Sequence, residues 1–150
     1  MRTHQFAATE TIALPRDRVF RFFSDAANLE VITPPELRFR ILTPLPIAMH
    51  PGALIRYRLR LMGVPFEWVT RITEWNPPDG FVDEQLAGPY KTWIHRHRFL
   101  EVPAGTRVDD EVTYELPLYP LSELAAPVVA LQVRRIFSFR GRAIRQALGV

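Results

Sequence analysis

Four histidines and no cysteine are present, and two of the histidines, His95 and His97, stand one residue apart in the run Trp93-Ile94-His95-Arg96-His97-Arg98-Phe99. Side chains two apart on a β-strand share a face. Read as a strand, this run puts Trp93, His95, His97 and Phe99 on one side and Ile94, Arg96, Arg98 and Leu100 on the other. The arginines mark the second side as solvent-facing, so both imidazoles are predicted to point inward. The segment before it has an inward set of Phe81, Asp83 and Gln85, and the segment after it Val108, Asp110, Val112, Tyr114 and Leu116. If the first turn centres on Pro89, Asp83 lies opposite His95. If the second centres between Pro103 and Ala104, Asp110 lies opposite His97. A slip of two residues still leaves carboxylates beside imidazoles on the same face.

A buried carboxylate needs a partner, because an unsatisfied polar group costs roughly 1–3 kcal/mol and a charge costs more. Imidazoles supply one. Three uses stay open for Asp83, His95, His97 and Asp110: a satisfied structural network, a set of ring edges that hydrogen-bond a ligand's carbonyl or hydroxyl, or a general base oriented by a carboxylate. Two histidines and two aspartates are a conceivable metal set, but histidines at i and i+2 on a strand are common without one, and no metal is assigned.

Tyr57, Phe66, Trp68, Trp93, Phe99 and Tyr114 are the candidate aromatic lining. Each alone reads as ordinary core; together they predict a planar or hydrophobic ligand, since apolar walls give affinity and a few polar groups give orientation. Leu131, Arg135 and Phe139 are placed to complete the wall from a C-terminal helix. Whether Arg135 turns inward is open, and an inward arginine would favour a carboxylated or phosphorylated ligand.

The elements that position these residues are punctuated by 14 prolines. Residues 3–14 read as a first strand, and Pro15 opens a short helix with Val19, Phe20, Phe22 and Phe23 on its apolar face. Asp25 caps a second short helix carrying Ala26, Leu29 and Ile32, stopped by Pro34-Pro35. Strands are predicted over Leu37–Thr43, Ala53–Met62, Phe66–Trp75, Phe81–Ala87, Lys91–Val102 and Thr106–Leu116. In Ala53–Met62, Ala53, Ile55, Tyr57, Leu59 and Leu61 alternate with a largely basic face. Short turns between strands indicate an antiparallel meander. From about Ser122 the period changes to that of a long amphipathic helix bearing Leu124, Val128, Leu131, Val133, Ile136, Phe137, Ile144 and Leu148, with Arg134, Arg135, Arg140, Arg142 and Arg145 on its remaining surface. Pro127 is expected in or near its first turn, or else to kink the helix, and Gly141 weakens its interior. The result is an α+β domain over 1–150. A curved sheet wraps a helix laid on its concave face, leaving a cavity where the side chains fail to fill the space.

Composition narrows the function classes. The 150 residues are 47% hydrophobic and 23% charged, which suits one globular domain. Without cysteine there is no disulfide, thiol nucleophile or thiolate metal site. The net charge of +3 is carried by arginine, with Lys91 the single lysine. Arg56, Arg58 and Arg60 read as a solvated sheet face with Glu67 and Glu84 as partners, and no nucleic acid is expected. No P-loop, Gly-x-Ser-x-Gly or HExxH pattern is present, and no cofactor is expected. The N-terminus lacks a signal-peptide core, and the longest apolar run, Leu124–Leu131, is too short to span a membrane, so a cytoplasmic location is expected. A homodimer is compatible with the sequence.

Several segments resemble one family. Ile12-Ala13-Leu14-Pro15-Arg16-Asp17-Arg18-Val19-Phe20 and Asp25-Ala26-Ala27-Asn28-Leu29 are similar to the first strand, first helix and following segment of the START/Bet v 1-like (SRPBCC) superfamily. The run from Gly88 to Phe99, Asp110-Glu111-Val112-Thr113-Tyr114 and Ile136-Phe137-Ser138-Phe139-Arg140 resemble a bacterial ligand-binding or cyclase-like subgroup of it. The resemblance covers essentially the whole chain. It implies the helix-grip fold: a curved antiparallel sheet of about seven strands around a long C-terminal helix, with two short helices after the first strand. It implies binding of a small hydrophobic or aromatic molecule in an internal cavity. The alternatives it carries are a cyclase, dehydratase or hydrolase using His95 or His97 as general acid/base, and a lipid-handling or protein-interaction module. Fold-level likeness does not choose between them.

Overall fold

The computed structural model describes residues 1–150. Seven strands, β1 Thr3–Ile12, β2 Arg40–Ile41, β3 Leu54–Leu61, β4 Val64–Asn76, β5 Gly80–Ala87, β6 Thr92–Val102 and β7 Gly105–Glu115, form one antiparallel sheet. The order is β1-β7-β6-β5-β4-β3-β2, so only β1 is out of chain sequence. Register shifts between Val69 and Thr70 and between Ile72 and Glu74 interrupt the β4–β5 ladder, and such irregularities bend and twist a sheet. The curved sheet closes around helix α2, Ala126–Leu148.

Strand parity sets the inner face. On β3, Ile55, Leu59 and Leu61 are buried, as is Ala53 just before it, whereas Arg56, Arg58 and Arg60 are exposed, and Arg56 pairs with Glu67. Glu84, the other expected partner, faces Arg71 instead. On β7 and just beyond it, all five predicted inward residues, Val108, Asp110, Val112, Tyr114 and Leu116, are buried. Gly80 opens β5 where it must pass close to β6. A Cβ there would meet the His97 carbonyl oxygen at 2.2 Å, so the absence of a side chain allows the approach that brings Phe81 onto His97.

Two predicted elements come out shorter. Asp25 caps only a 3₁₀ turn, Ala26–Leu29, with its carboxylate accepting from the Ala27 N–H at 3.0 Å. The strand expected over Leu37–Thr43 shrinks to Arg40–Ile41. Pro35–Leu37 forms another 3₁₀ turn, Arg38 takes a left-handed conformation at φ 47°, and Pro44 and Pro46 withhold ladder donors just beyond. Helix α1, Arg16–Ser24, starts directly after Pro15 and buries Val19, Phe20 and Phe23.

The face expected for the C-terminal helix is corrected in its first half. Leu124, Val128 and Leu131 are 85%, 50% and 59% exposed, and the buried residues are Val133, Phe137, Gly141, Ala143 and Ile144. At about 100° per residue, Leu131 lies roughly 200° around the helix from Val133, so the two cannot share the core face. The helix is preceded by a 3₁₀ turn, Leu121–Ala125, and Pro127 sits in its first turn, where a missing N–H is tolerated.

The core divides into two apolar clusters. One gathers Ile12, Val19, Phe20, Phe23, Phe81, Phe99 and Ile144 around α1. The other gathers Leu59, Leu61, Trp68, Tyr90, Tyr114, Val133 and Phe137. His95 and His97 stand at the seam between them. His97 stacks on Phe81 of the first cluster at 4.0 Å, and His95 meets Phe137 of the second edge-on at 5.3 Å.

Candidate functional site

β5, β6 and β7 lie side by side, and their registers put Asp83 opposite His95 and His97 opposite Asp110, as the turn positions predict. The hydrogen bonds, however, run diagonally. His95 Nε2 donates to Asp110 Oδ1 at 2.7 Å, and His97 Nε2 donates to Asp83 Oδ2 at 2.6 Å. The facing pairs are looser, with His95 Nδ1 3.9 Å from Asp83 Oδ2 and His97 Nδ1 3.4 Å from Asp110 Oδ1. Side chains of this length reach the diagonal neighbour across a strand pair. The two imidazoles stack at 3.6 Å between centroids and 28° between planes.

Both histidines are almost wholly buried, at 4% and 3% exposure. Burial, with the charge of His97 beside it, pushes the His95 imidazole down to about 4, and its contacts with Asp110 and Asp83 do not compensate. Burial also opposes protonation of His97, but contact with both carboxylates outweighs it and holds that imidazole above its ordinary value. The carboxyls would be raised by burial, yet the imidazole contacts outweigh that and hold both Asp83 and Asp110 below the usual range, with the positive charge of Arg140 acting in the same direction. The network therefore favours a proton on His97 over one on His95 and holds both carboxyls toward the carboxylate form. The proton of neutral His95 sits on Nε2, where Asp110 accepts it, and Nδ1 is left as an acceptor.

Asp83, His95 and His97 offer ligand atoms all within 4.8 Å of one another, so they are the residues that could hold a metal. The donor set fits one poorly. The rings are nearly parallel, so their in-plane lone pairs run side by side rather than converging, and each Nε2 is already engaged by a carboxylate.

In front of the network lies a cavity of about 150 Å³, partly open to solvent. Of the predicted residues, Tyr57, Trp68, Asp83, Trp93, His95 and His97 line it. Phe66, Phe99, Asp110 and Tyr114 do not, and their places differ. Phe99 is covered by Phe20 and Phe23, each 5.1 Å away, because α1 fills that end of the sheet. Tyr114 is capped by His4, stacked at 5.2 Å. Phe66 is half-buried at the edge of the second cluster. Asp110 sits behind the imidazoles in a separate small recess.

The wall supplied by α2 also differs from expectation. Leu131 is exposed, Arg135 pairs outward with Glu36 at 3.0 Å, and Phe139 lies outside the lining. Ile136, Phe137 and Arg140 take their place. Residue type assigns Arg140 to the solvated surface, but its spacing marks it as core-facing. It is seven residues from Val133, three from Phe137 and four from Ile144, all buried, and those intervals share one helix face. Ile55, Leu59, Leu61 and Ile72 complete the apolar floor, and Tyr57 Oη bonds Thr70 Oγ1 at 3.2 Å. Asp25 is the exposed lining residue, and Asn28, Leu29 and Thr33 are half-buried beside it around the 3₁₀ turn.

The network makes stability pH-dependent with a definite sign. His95 in the unfolded chain takes up a proton near 6.5, whereas the folded chain refuses it until about 4, so stability is lost as pH falls through that window. His97 acts oppositely, contributing below 6.5 and losing that contribution as pH rises through its raised value. Between pH 6 and 5 the His95 effect amounts to about 1 kcal/mol. Urea unfolding at the two pH values is therefore expected to show His95→Gln losing less stability than the parent by about that amount. Equal losses in both proteins would contradict this protonation assignment.

Solved structures share the fold. The protein TTHA0849 from Thermus thermophilus is similar at 19% identity and TM-score 0.75, over 96% of this chain and 99% of that one. The Zhui aromatase/cyclase from Streptomyces sp. R1128 is similar at 18% identity and TM-score 0.76, over 95% and 92%. The major latex-like protein 151 from Panax ginseng is similar at 13% identity and TM-score 0.68, over 97% of each. Among curated proteins, none matches in sequence. The family model described as Polyketide cyclase / dehydrase and lipid transport matches residues 12–137, from the end of β1 into the middle of α2, and the chain belongs to that family.

Proposed function

We propose that the protein binds a small hydrophobic or aromatic molecule in the cavity between the sheet and α2. The observation that carries this reading is the cavity itself: about 150 Å³, walled by Ile55, Tyr57, Leu59, Trp68 and Trp93, with the ionisable groups of Asp83, His95, His97 and Arg140 among its lining. That lining suits a guest with an apolar body and one polar end. An engineered apolar cavity of about this volume in another protein holds benzene. Here the open mouth lets a two-ring guest extend outward.

A second reading, proton-transfer catalysis on such a guest, is favoured by one observation. Neutral His95 keeps Nδ1 as a bare acceptor in a cavity-lining residue with a carboxylate 3.9 Å away. His97 is less suited, because Nε2 is bonded to Asp83 and Nδ1 is buried without a partner. If this reading holds, His95→Gln removes turnover even where guest is supplied to saturation; turnover that survives the change excludes His95 as the base.

Binding is tested by calorimetric titration of 2-naphthol into the protein at pH 7. Saturable heat at one site per chain is expected, and Leu59→Trp, which fills the floor, is expected to weaken it about tenfold or more. No saturable heat with the parent, or unchanged binding to the filled variant, would contradict the cavity as the site.

A further inference from the structure

Arg140 is the one arginine whose side chain enters the cavity wall, and it is idle there. Its Nε is buried with no hydrogen-bond partner, and no acceptor in the protein engages its other donors. The guanidinium is held between two rings, 5.6 Å from the centroid of Phe23 and 5.7 Å from that of Phe137. These contacts fix its position without using its N–H groups, since the ring faces attract its charge. Asp83 and Asp110 feel its field, but each accepts its short hydrogen bond from an imidazole, and neither forms an ion pair with Arg140. Of the other arginines of α2, Arg134 is exposed to solvent, and three are occupied: Arg135 by Glu36, Arg142 by Ser138 and Arg145 by Glu10.

A cation with idle donors in a mostly apolar hollow is costly unless something brings it an anion or water. Its planar fork matches a carboxylate, which can accept two parallel bonds from it. A phosphate monoester carries about −1.5 to −2 charge at neutral pH and would need more than one cation. We propose that the cavity selects an aromatic or apolar guest bearing a carboxylate, with Arg140 receiving the carboxylate and Trp68, Tyr57 and Leu59 receiving the apolar body. This rests on the binding reading above and adds to it the charge of the guest.

The test compares 2-naphthoate with 2-naphthamide, which share a ring system and a carbonyl oxygen but differ in charge. In calorimetric titrations at pH 7 the parent protein is expected to bind the naphthoate at least about tenfold more tightly, the size of a charge-assisted hydrogen bond. Arg140→Met, which keeps the apolar stem between the two rings, is expected to remove that preference and bring the two affinities within about twofold of each other. Equal affinities of the parent protein for the two probes would overturn the proposal, and that comparison needs no variant. A naphthoate preference that persists in a folded Arg140→Met protein would overturn it as well. Failure of both probes and of 2-naphthol would instead bring down the binding reading beneath it.

Discussion

Two stacked imidazoles 3.6 Å apart cannot both be charged at little cost, and two carboxylates buried beside them cannot both be left without a proton donor. These opposed demands meet in the middle strands of the sheet and are satisfied together when each acid accepts from a different imidazole and only one of the two rings is charged. The diagonal bonding pattern is what makes this possible. Each carboxylate holds one short bond from the histidine two residues along and one longer contact with the histidine it faces. The network is thus a single titrating unit rather than two independent pairs.

The surrounding fold follows from having such a unit in the core. Phe81 covers one imidazole and Phe137 the other, so the polar seam is sealed by the two apolar clusters it separates. α1 presses Phe20 and Phe23 onto Phe99 and fills the space over that end of the sheet. The cavity lies over β3 and β4, whose Ile55, Tyr57, Leu59, Trp68 and Ile72 line it, and the adjoining β4–β5 ladder is bulged. Asp83, His95 and His97 also reach the surface of the wall, and the network gives that wall its polar groups.

Much of this was legible in the residues. Strand parity put both imidazoles and both carboxylates on one face, because the arginines alternating with the imidazoles had to be outside. With the turns centred on Pro89 and on Pro103-Ala104, counting residues yields the two registers that the sheet adopts, although a slip of two was equally open. The diagonal bonds were not legible, since they depend on how far adjacent strands twist rather than on which residues oppose. The aromatic lining was half legible: parity identifies inward residues, but not which of them another element will cover, as α1 covers Phe99. The helix face was misread because Leu124, Val128 and Leu131 carry a strong apolar rhythm of their own, although it runs on the opposite side from Val133, Phe137 and Ile144. The same angular count places Arg140 inward, and residue type alone had placed it outside.

The single imidazolium is the central physical claim, and nitrogen-15 NMR of the histidine side chains tests it most directly. In a titration from pH 8 to 4, His97 is expected to take up its second ring proton above the unperturbed histidine value and well before His95 does. His95 is expected to remain the Nε2–H neutral tautomer until the pH approaches about 4. Parallel titration of both rings near the unperturbed histidine value of about 6.5 would contradict the account.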